Sequence, residues 1–394
     1  SLLRAMLRVT AAAVGGILVV MFRKQLKSAI RALIGAGRPS GAVGCGFPAL
    51  VGNTPLVELS SLSRATGCTI LAKAEFLNPG GCSKDRVAKQ IVLDAEAEGL
   101  LSTGGTVVEG TSGSTGISLA MMAAARGYKC VVVMPDDQAI EKVRLLETLG
   151  VHVQRVKPAA ISHRDNYCNV ARRLAEETEG AFFADQFETP SNFRAHYTGT
   201  GPEIWEQTGG RVDAFVMSAG TGGTIAGVSR FLKERNPGVQ VFLADPPGSS
   251  LHYRVKYGVA FAPQQREQAL RRHRYDTIAE GVGLDRVTAN FAEAAIDYSY
   301  RVTDQEAVDM SRFLLRNEGL FLGSSSAINC VAAVRAARRL GPGHVIVTVL
   351  CDSGQRHLTR LWNEAYLEQE WGVRVSEAGG AGAGIEAIVG PEHE

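Results

Sequence analysis

The chain has 394 residues, 45% apolar and 21% charged, a balance that excludes a disordered protein and allows two or three domains. A formal net charge of +2 excludes a dedicated nucleic-acid binder. Seven scattered cysteines with no C-x-x-C pair, and eight scattered histidines, point to a reducing compartment and argue against a disulfide framework or a structural metal site.

Residues 1–57 carry seven Lys/Arg and no acid, which leaves 35 basic against 40 acidic residues in the remainder. Within this segment residues 5–22 form an apolar run broken only by Arg8, followed at once by Arg23, Lys24, Lys27 and Arg31. At 1.5 Å per residue such a run can just cross a thin bilayer. Three readings compete for residues 1–35: an anchor in the mitochondrial outer membrane, a mitochondrial targeting segment cleaved on import, and a buried core helix. A secretory signal is disfavoured by the cysteine usage. Residues 36–47, rich in Gly, Pro and Ser, read as a linker.

The body then alternates short β-branched runs with helical patterns. A helix opens near Lys84, with apolar residues at 87, 88, 91, 92 and 95. A strand ends at Val107–Val108, a helix spans 117–126 and stops at Gly127, a buried strand covers 130–134, and a helix from Ile140 stops at Gly150. Strand 151–156, helix 162–179 and strand 181–184 complete this half. The second half runs strand 212–218, helix 225–236, strand 239–244, helices 303–318 and 325–339, strand 344–350 and a last helix near 356–370. Strand and helix in alternation imply parallel sheets with helices on both faces, here an α/β protein of two lobes, 48–190 and 191–370, with a ligand cleft between them. Residues 371–394 read as a disordered tail, and 251–277 as an insert whose Arg271–Arg274 cluster is a solvated loop.

Four polar or Gly-rich loops carry the chemistry, three of them where a strand gives way to a helix and backbone amides can hold an anion. In Asn78–Arg86, Lys84 sits at a helix start, where the dipole disfavours a cation; it is either a plain surface residue or an amine held ready to condense with an aldehyde. Glu109–Gly116 strings hydroxyls and glycines together as a carboxylate nest, beyond what ordinary N-capping requires. Ser218–Thr224 offers amides and hydroxyls to a phosphate monoester. It keeps the first two glycines of a dinucleotide fingerprint, but Ile225 holds the third position. Cys351–Arg356 follows a buried strand as a polar turn.

Taken together and in this order, NPGGCSKDR, EGTSGSTGISLA, QF at 186–187, SAGTGGT, EGVG at 280–283 and CDSGQR resemble the cysteine synthase and cystathionine β-synthase family. The likeness spans about Leu50 to Glu370 and is nearest the fungal mitochondrial cysteine synthase-like branch. The resemblance implies a fold-type II, tryptophan synthase β-like enzyme: two three-layer α/β lobes, mostly parallel sheets, and pyridoxal 5'-phosphate between them. It implies that Lys84 holds the cofactor and shuttles the Cα proton, while Gly220, Thr221, Gly222, Gly223 and Thr224 hold the phosphate. Ser353 would face the pyridine nitrogen, with Asp352 its rival, and Thr111, Ser112, Gly113, Thr115 and Gln186 would take the substrate carboxylate. A neutral hydroxyl at the ring nitrogen favours β-elimination and replacement over transamination. Two departures stand out: Ser114 replaces the usual Asn beside the cofactor ring, and Ser324-Ser325-Ser326 replaces the usual Ser-Ser-Gly. The implied reaction is replacement of acetate on O-acetylserine by sulfide, in a homodimer. Other β-replacements or eliminations, or a membrane-tethered non-catalytic regulator on the same scaffold, are the alternatives.

Overall fold

The computed structural model describes residues 44–261, 277–376 and 384–390, and Gly46–Glu394 forms one compact unit. The anchor or targeting reading of residues 1–35, most of the linker, and residues 262–276 of the insert lie outside the described residues. No helix among the described residues is long and apolar enough to cross a membrane.

Among the described residues, ten strands form two sheets. They are β1 (Leu56–Glu58), β2 (Thr69–Ala74), β3 (Thr106–Gly110), β4 (Lys129–Pro135), β5 (His152–Val156), β6 (Ala181–Phe183), β7 (Ala214–Ser218), β8 (Gln240–Asp245), β9 (Tyr298–Arg301) and β10 (Val345–Leu350). The larger sheet has the order β1-β2-β10-β7-β8-β9 and the smaller β5-β4-β3-β6; every pairing is parallel except β1 with β2. The longer helices are α1 (Lys84–Glu98), α2 (Ser114–Arg126), α3 (Ile140–Thr148), α4 (Tyr167–Glu177), α5 (Gly223–Arg235), α6 (Asp304–Glu318) and α7 (Ser324–Leu340).

The sequence explains the layering. Central strands such as VIVTVL of β10 are apolar on both faces, because helices cover both. Ile346 and Leu350 point into one cluster with Ala214, Val216 and Phe242, while Val347 and Val349 point into the opposite one with Phe215, Met217 and Leu243. In the smaller sheet Val107 and Val108 likewise face opposite clusters. Helices stop at glycines in the left-handed region: at Gly127, as expected, and also at Gly99 and Gly319, while the helix from Ile140 ends at Thr148, two residues before the expected Gly150. α6 starts on a reciprocal capping box between Thr303 and Glu306.

Four expectations need correction. The lobes 48–190 and 191–370 are not how the sheets divide, because β1 and β2 join the sheet of the second half, β2 lying parallel to β10 over six paired residues. The helix expected over 162–179 begins only at Tyr167, where the Asn166 side chain accepts from Cys168 N. The helix expected near 356–370 is broken: a 3-10 turn covers Gly354–Arg356, and a new start capped by Asn363 runs from Glu364 to Trp371. The tail is not wholly loose. Ser376 Oγ donates to Asp309 Oδ2 at 2.8 Å, and Ile385, Ile388 and Val389 are buried in the main core, with Arg338 Nη1 donating to Val389 O. Gly/Ala-rich composition concealed this short apolar cluster.

Candidate active site

Parallel strands deliver the functional loops to one place. β3 ends at Gly110 and α2 starts at Ser114; β7 ends at Ser218 and α5 starts at Gly223; β10 ends at Leu350. These strand ends, together with the start of α1, open on a single cavity lined from both sheets.

Lys84 is the first residue of α1 and half-buried on the cavity wall. Its ammonium has no partner among the described residues. The loop before it is pinned to the 351–353 turn, since Ser83 N donates to Cys351 O at 3.2 Å and Cys82 bridges Asp352. Asp85 accepts from Gly80 N and from Ser118 Oγ, both at 2.6 Å. Arg86 clamps Glu75 on one side and Glu203 on the other, at 2.7 to 2.8 Å. Despite burial, the Arg86 and Lys73 cations hold Glu203 down to about 2. The helix start that presents Lys84 is therefore fixed by the buried charges of the next two residues, Asp85 and Arg86.

The loop after β7 forms a cup that only glycine can build. A Cβ on Gly220 would stand 2.1 Å from Gly281 O, and one on Gly223 1.9 Å from Asn192 Oδ1. Gly222 has φ +88° against Phe291. Among the described residues, the N–H groups of Gly220, Thr221, Gly222 and Gly223 find no acceptor. Asn192 Nδ2 donates to Thr221 Oγ1 at 2.8 Å, and Thr224 Oγ1 lies 3.1 Å from His196 Nε2. Burial lowers His196 to about 3, so it is neutral at physiological pH. Ser218 Oγ is buried and unpartnered beside the cup. Free amides at the N-terminus of α5 suit a phosphate group.

Thr111, Ser112, Ser114 and Thr115 also line the cavity, with Gly113 just behind at φ +142°. Gly113 N donates to Thr111 Oγ1 at 3.1 Å. Thr115 Oγ1 donates to Gln186 Oε1 at 2.5 Å, and Gln186 Nε2 donates to Glu109 Oε1 at 3.0 Å and Gly110 O at 3.2 Å. Burial, with the nearby Asp185 carboxylate, raises Glu109 well above the usual carboxylate range. This line of bonds holds the hydroxyl loop open toward the cavity. Ser114 Oγ faces Arg356 Nη1 at 3.4 Å.

Ser353 does not line the cavity. Its side chain caps the Gly354–Arg356 turn, accepting from Gln355 N, and its backbone bridges Leu322. Ser325, the second residue of α7, lines the cavity instead, beside the Cys351 thiol that burial pushes up to about 12. The serine triplet at 324–326, running straight into an apolar helix, was the available signal. Asp352 also reaches the cavity, but its Oδ2 is taken by His357 Nε2 at 2.9 Å.

Sequence reasoning missed a charged wall. Lys142, Glu280, Asp352 and His357 all line the cavity. Glu280 pairs with Lys142, with His357 Nδ1 at 3.3 Å and with Arg360 Nη1 at 3.1 Å. Burial alone would lower His357, but the Asp352 and Glu280 carboxylates raise it to about 9. Burial works against ionising Glu280, yet Lys142, His357 and Arg360 hold it far below the usual range. EGVG at 280–283 and Asp352 in CDSGQR were the sequence hints. No group of residues suited to a metal occurs among the described residues.

A free lysine amine, an acceptor-less glycine cup at a helix N-terminus and a serine hydroxyl across the cavity fit the aldehyde, phosphate and ring nitrogen of pyridoxal phosphate. The family described as pyridoxal-phosphate dependent enzyme matches residues 48–352 of the chain. Cysteine synthase 2 of Schizosaccharomyces pombe is 55% identical over 336 residues, covering 82% of this chain and 85% of that protein. The Saccharomyces cerevisiae protein named "Putative mitochondrial cysteine synthase" is 50% identical over 331 residues, covering 81% and 84%. Among solved structures, O-ureido-L-serine synthase matches with a TM-score of 0.72 at 34% identity, over 82% of this chain and 96% of that one.

Proposed function

The chain belongs to the pyridoxal-phosphate dependent enzyme family, and from that premise we propose that it is a cysteine synthase, in which sulfide replaces the acetate of O-acetyl-L-serine to give L-cysteine. The observation that carries the reading is the convergence of the unpaired Lys84 amine and the glycine cup on one cavity. Cysteine synthases at 50 to 55% identity supply the reaction.

Bound pyridoxal phosphate supplies an electron sink that lets a Cα proton and a β substituent leave. Gly220, Thr221, Gly222, Gly223 and Thr224 would hold its phosphate, and Lys84 its aldehyde carbon. Lys84 then carries the Cα proton. Thr111, Ser112, Gly113 and Thr115, steadied by Gln186 and Glu109, bind the substrate carboxylate. Ser114 offers the ring a single hydroxyl. Ser325, rather than Ser353, is our candidate for the ring nitrogen. It sits in the first turn of a 17-residue helix, where the positive end of the dipole disfavours protonating that nitrogen. A neutral hydroxyl from Ser325 at that nitrogen would thereby favour loss of a β substituent over transamination.

Incubating the purified protein with O-acetylserine and sulfide tests the reading: cysteine and acetate form in equal amounts. Absence of acetate release refutes it. A mitochondrial location is proposed from the name of the Saccharomyces cerevisiae relative. An outer-membrane anchor at residues 5–22 rests on hydropathy and the basic flank alone. Alkaline extraction of mitochondria tests it, the anchor keeping the protein in the pellet and a soluble import product leaving it in the supernatant. A homodimer, proposed from the family resemblance, predicts a particle of twice the chain mass by light scattering.

A further inference from the structure

Lys142 of α3 is buried, yet its side chain reaches the cavity. Its stem crosses the hydroxyl loop: a Cβ on Gly113 would stand 2.6 Å from Lys142 Cδ. Its ammonium pairs with Glu280, on the loop whose Gly281 O touches the phosphate cup. It thus spans the cavity from the smaller sheet's side to the larger's.

Glu280 keeps other partners when Lys142 leaves. His357 Nδ1 at 3.3 Å and Arg360 Nη1 at 3.1 Å remain beside it, and His357 is itself steadied by Asp352 at 2.9 Å. With His357 charged, three cations share one carboxylate and Asp352 adds the second, so the cluster carries one positive charge in excess. Breaking one buried pair is costly only when it strands a charge. Glu280 is not stranded when Lys142 leaves, and the ammonium can move to another anion. The other cations are committed: Lys84 to the cofactor, and Arg356 to Gly80 O with Cys82 and Ser114 close by.

We propose that Lys142 is a specificity-determining residue that moves from Glu280 to hold the negative charge of the acceptor replacing acetate. This rests on the cysteine synthase reading. Charge balances: hydrosulfide enters as a monoanion, its sulfur forms the Cβ–S bond, the Cβ–O bond breaks, and acetate leaves with the negative charge. An ammonium on loan serves such an exchange, and it favours anionic over cationic acceptors.

The test uses holoenzyme with Lys142→Met, which keeps the stem over Gly113, and Lys142→Arg, which keeps the charge. At saturating O-acetylserine, the KM for hydrosulfide is measured, together with inhibition constants against it for thiosulfate, a dianion, and cysteamine, a cationic thiol. Lys142→Met is expected to raise the hydrosulfide KM about tenfold, the loss of one charge-assisted contact. The thiosulfate constant should rise more than that, and the cysteamine constant by less than about twofold, with Lys142→Arg restoring the order. Equal losses for all three compounds in both variants would mean a structural role and overturn the proposal. So would a change confined to the KM for O-acetylserine. Failure of the unsubstituted enzyme to release acetate would instead sink the cysteine synthase reading, and is seen before any variant is made.

Discussion

Replacing His357 should change how stability depends on pH. This imidazole is almost wholly buried between Asp352 and Glu280, which raise it to about 9 from an ordinary 6.5 despite burial. That difference corresponds to roughly 3 kcal/mol favouring the protonated folded form. Because the folded value lies above the unfolded one, the stabilisation is complete below pH 6.5 and is lost as pH rises through about 9. For the 325 described residues, about 3 kcal/mol moves the thermal midpoint by roughly 4 °C. The assay is differential scanning calorimetry of holoenzyme from pH 6 to pH 10, comparing the unsubstituted chain with His357→Asn. The advantage of the histidine enzyme should shrink by roughly 4 °C across the interval. Parallel profiles would refute the reasoning, since His357 would then carry no charge that the folded state holds.

Four further outcomes follow from the geometry. His196→Leu removes the neutral partner of Thr224 Oγ1 and should speed cofactor release about tenfold, while His196→Gln recovers part of the loss; both are read from the cofactor's absorbance and phosphorus resonance after dilution. Ser325→Asp should cut cysteine formation at least about tenfold and bring in transamination, as protonation of the ring nitrogen deepens the electron sink. Ser353→Ala should leave the rate within about twofold, and the reverse ranking would reinstate Ser353. Ile388→Ala should cost about 2–4 kcal/mol in denaturant titration, where a loose tail would show no change.

Local chemistry made much of this molecule readable. The helix end at Gly127 announces itself because the left-handed conformation suits glycine. Lys84 and the glycine cup stood out because a cation at a helix start and closely spaced glycines both run against ordinary propensity. What escaped was long-range. β2 finds β10 some 270 residues away, and nothing in TILAKA, with its buried Lys73, announces a partner. Ser353 and Ser325 both sit at the entrance to helical turns, and only the tertiary register decides which one meets the cavity. Lys142, Glu280 and His357 are ordinary charges in isolation, and their meaning lies in being brought together by two different sheets.

The most direct measurement is reductive trapping of the purified yellow protein with borohydride, followed by peptide mapping. The account predicts one pyridoxyl-modified peptide, carrying the label on Lys84, and loss of the label in Lys84→Ala. A label on Lys142 or another lysine, or no label on a protein that still makes cysteine, would contradict it.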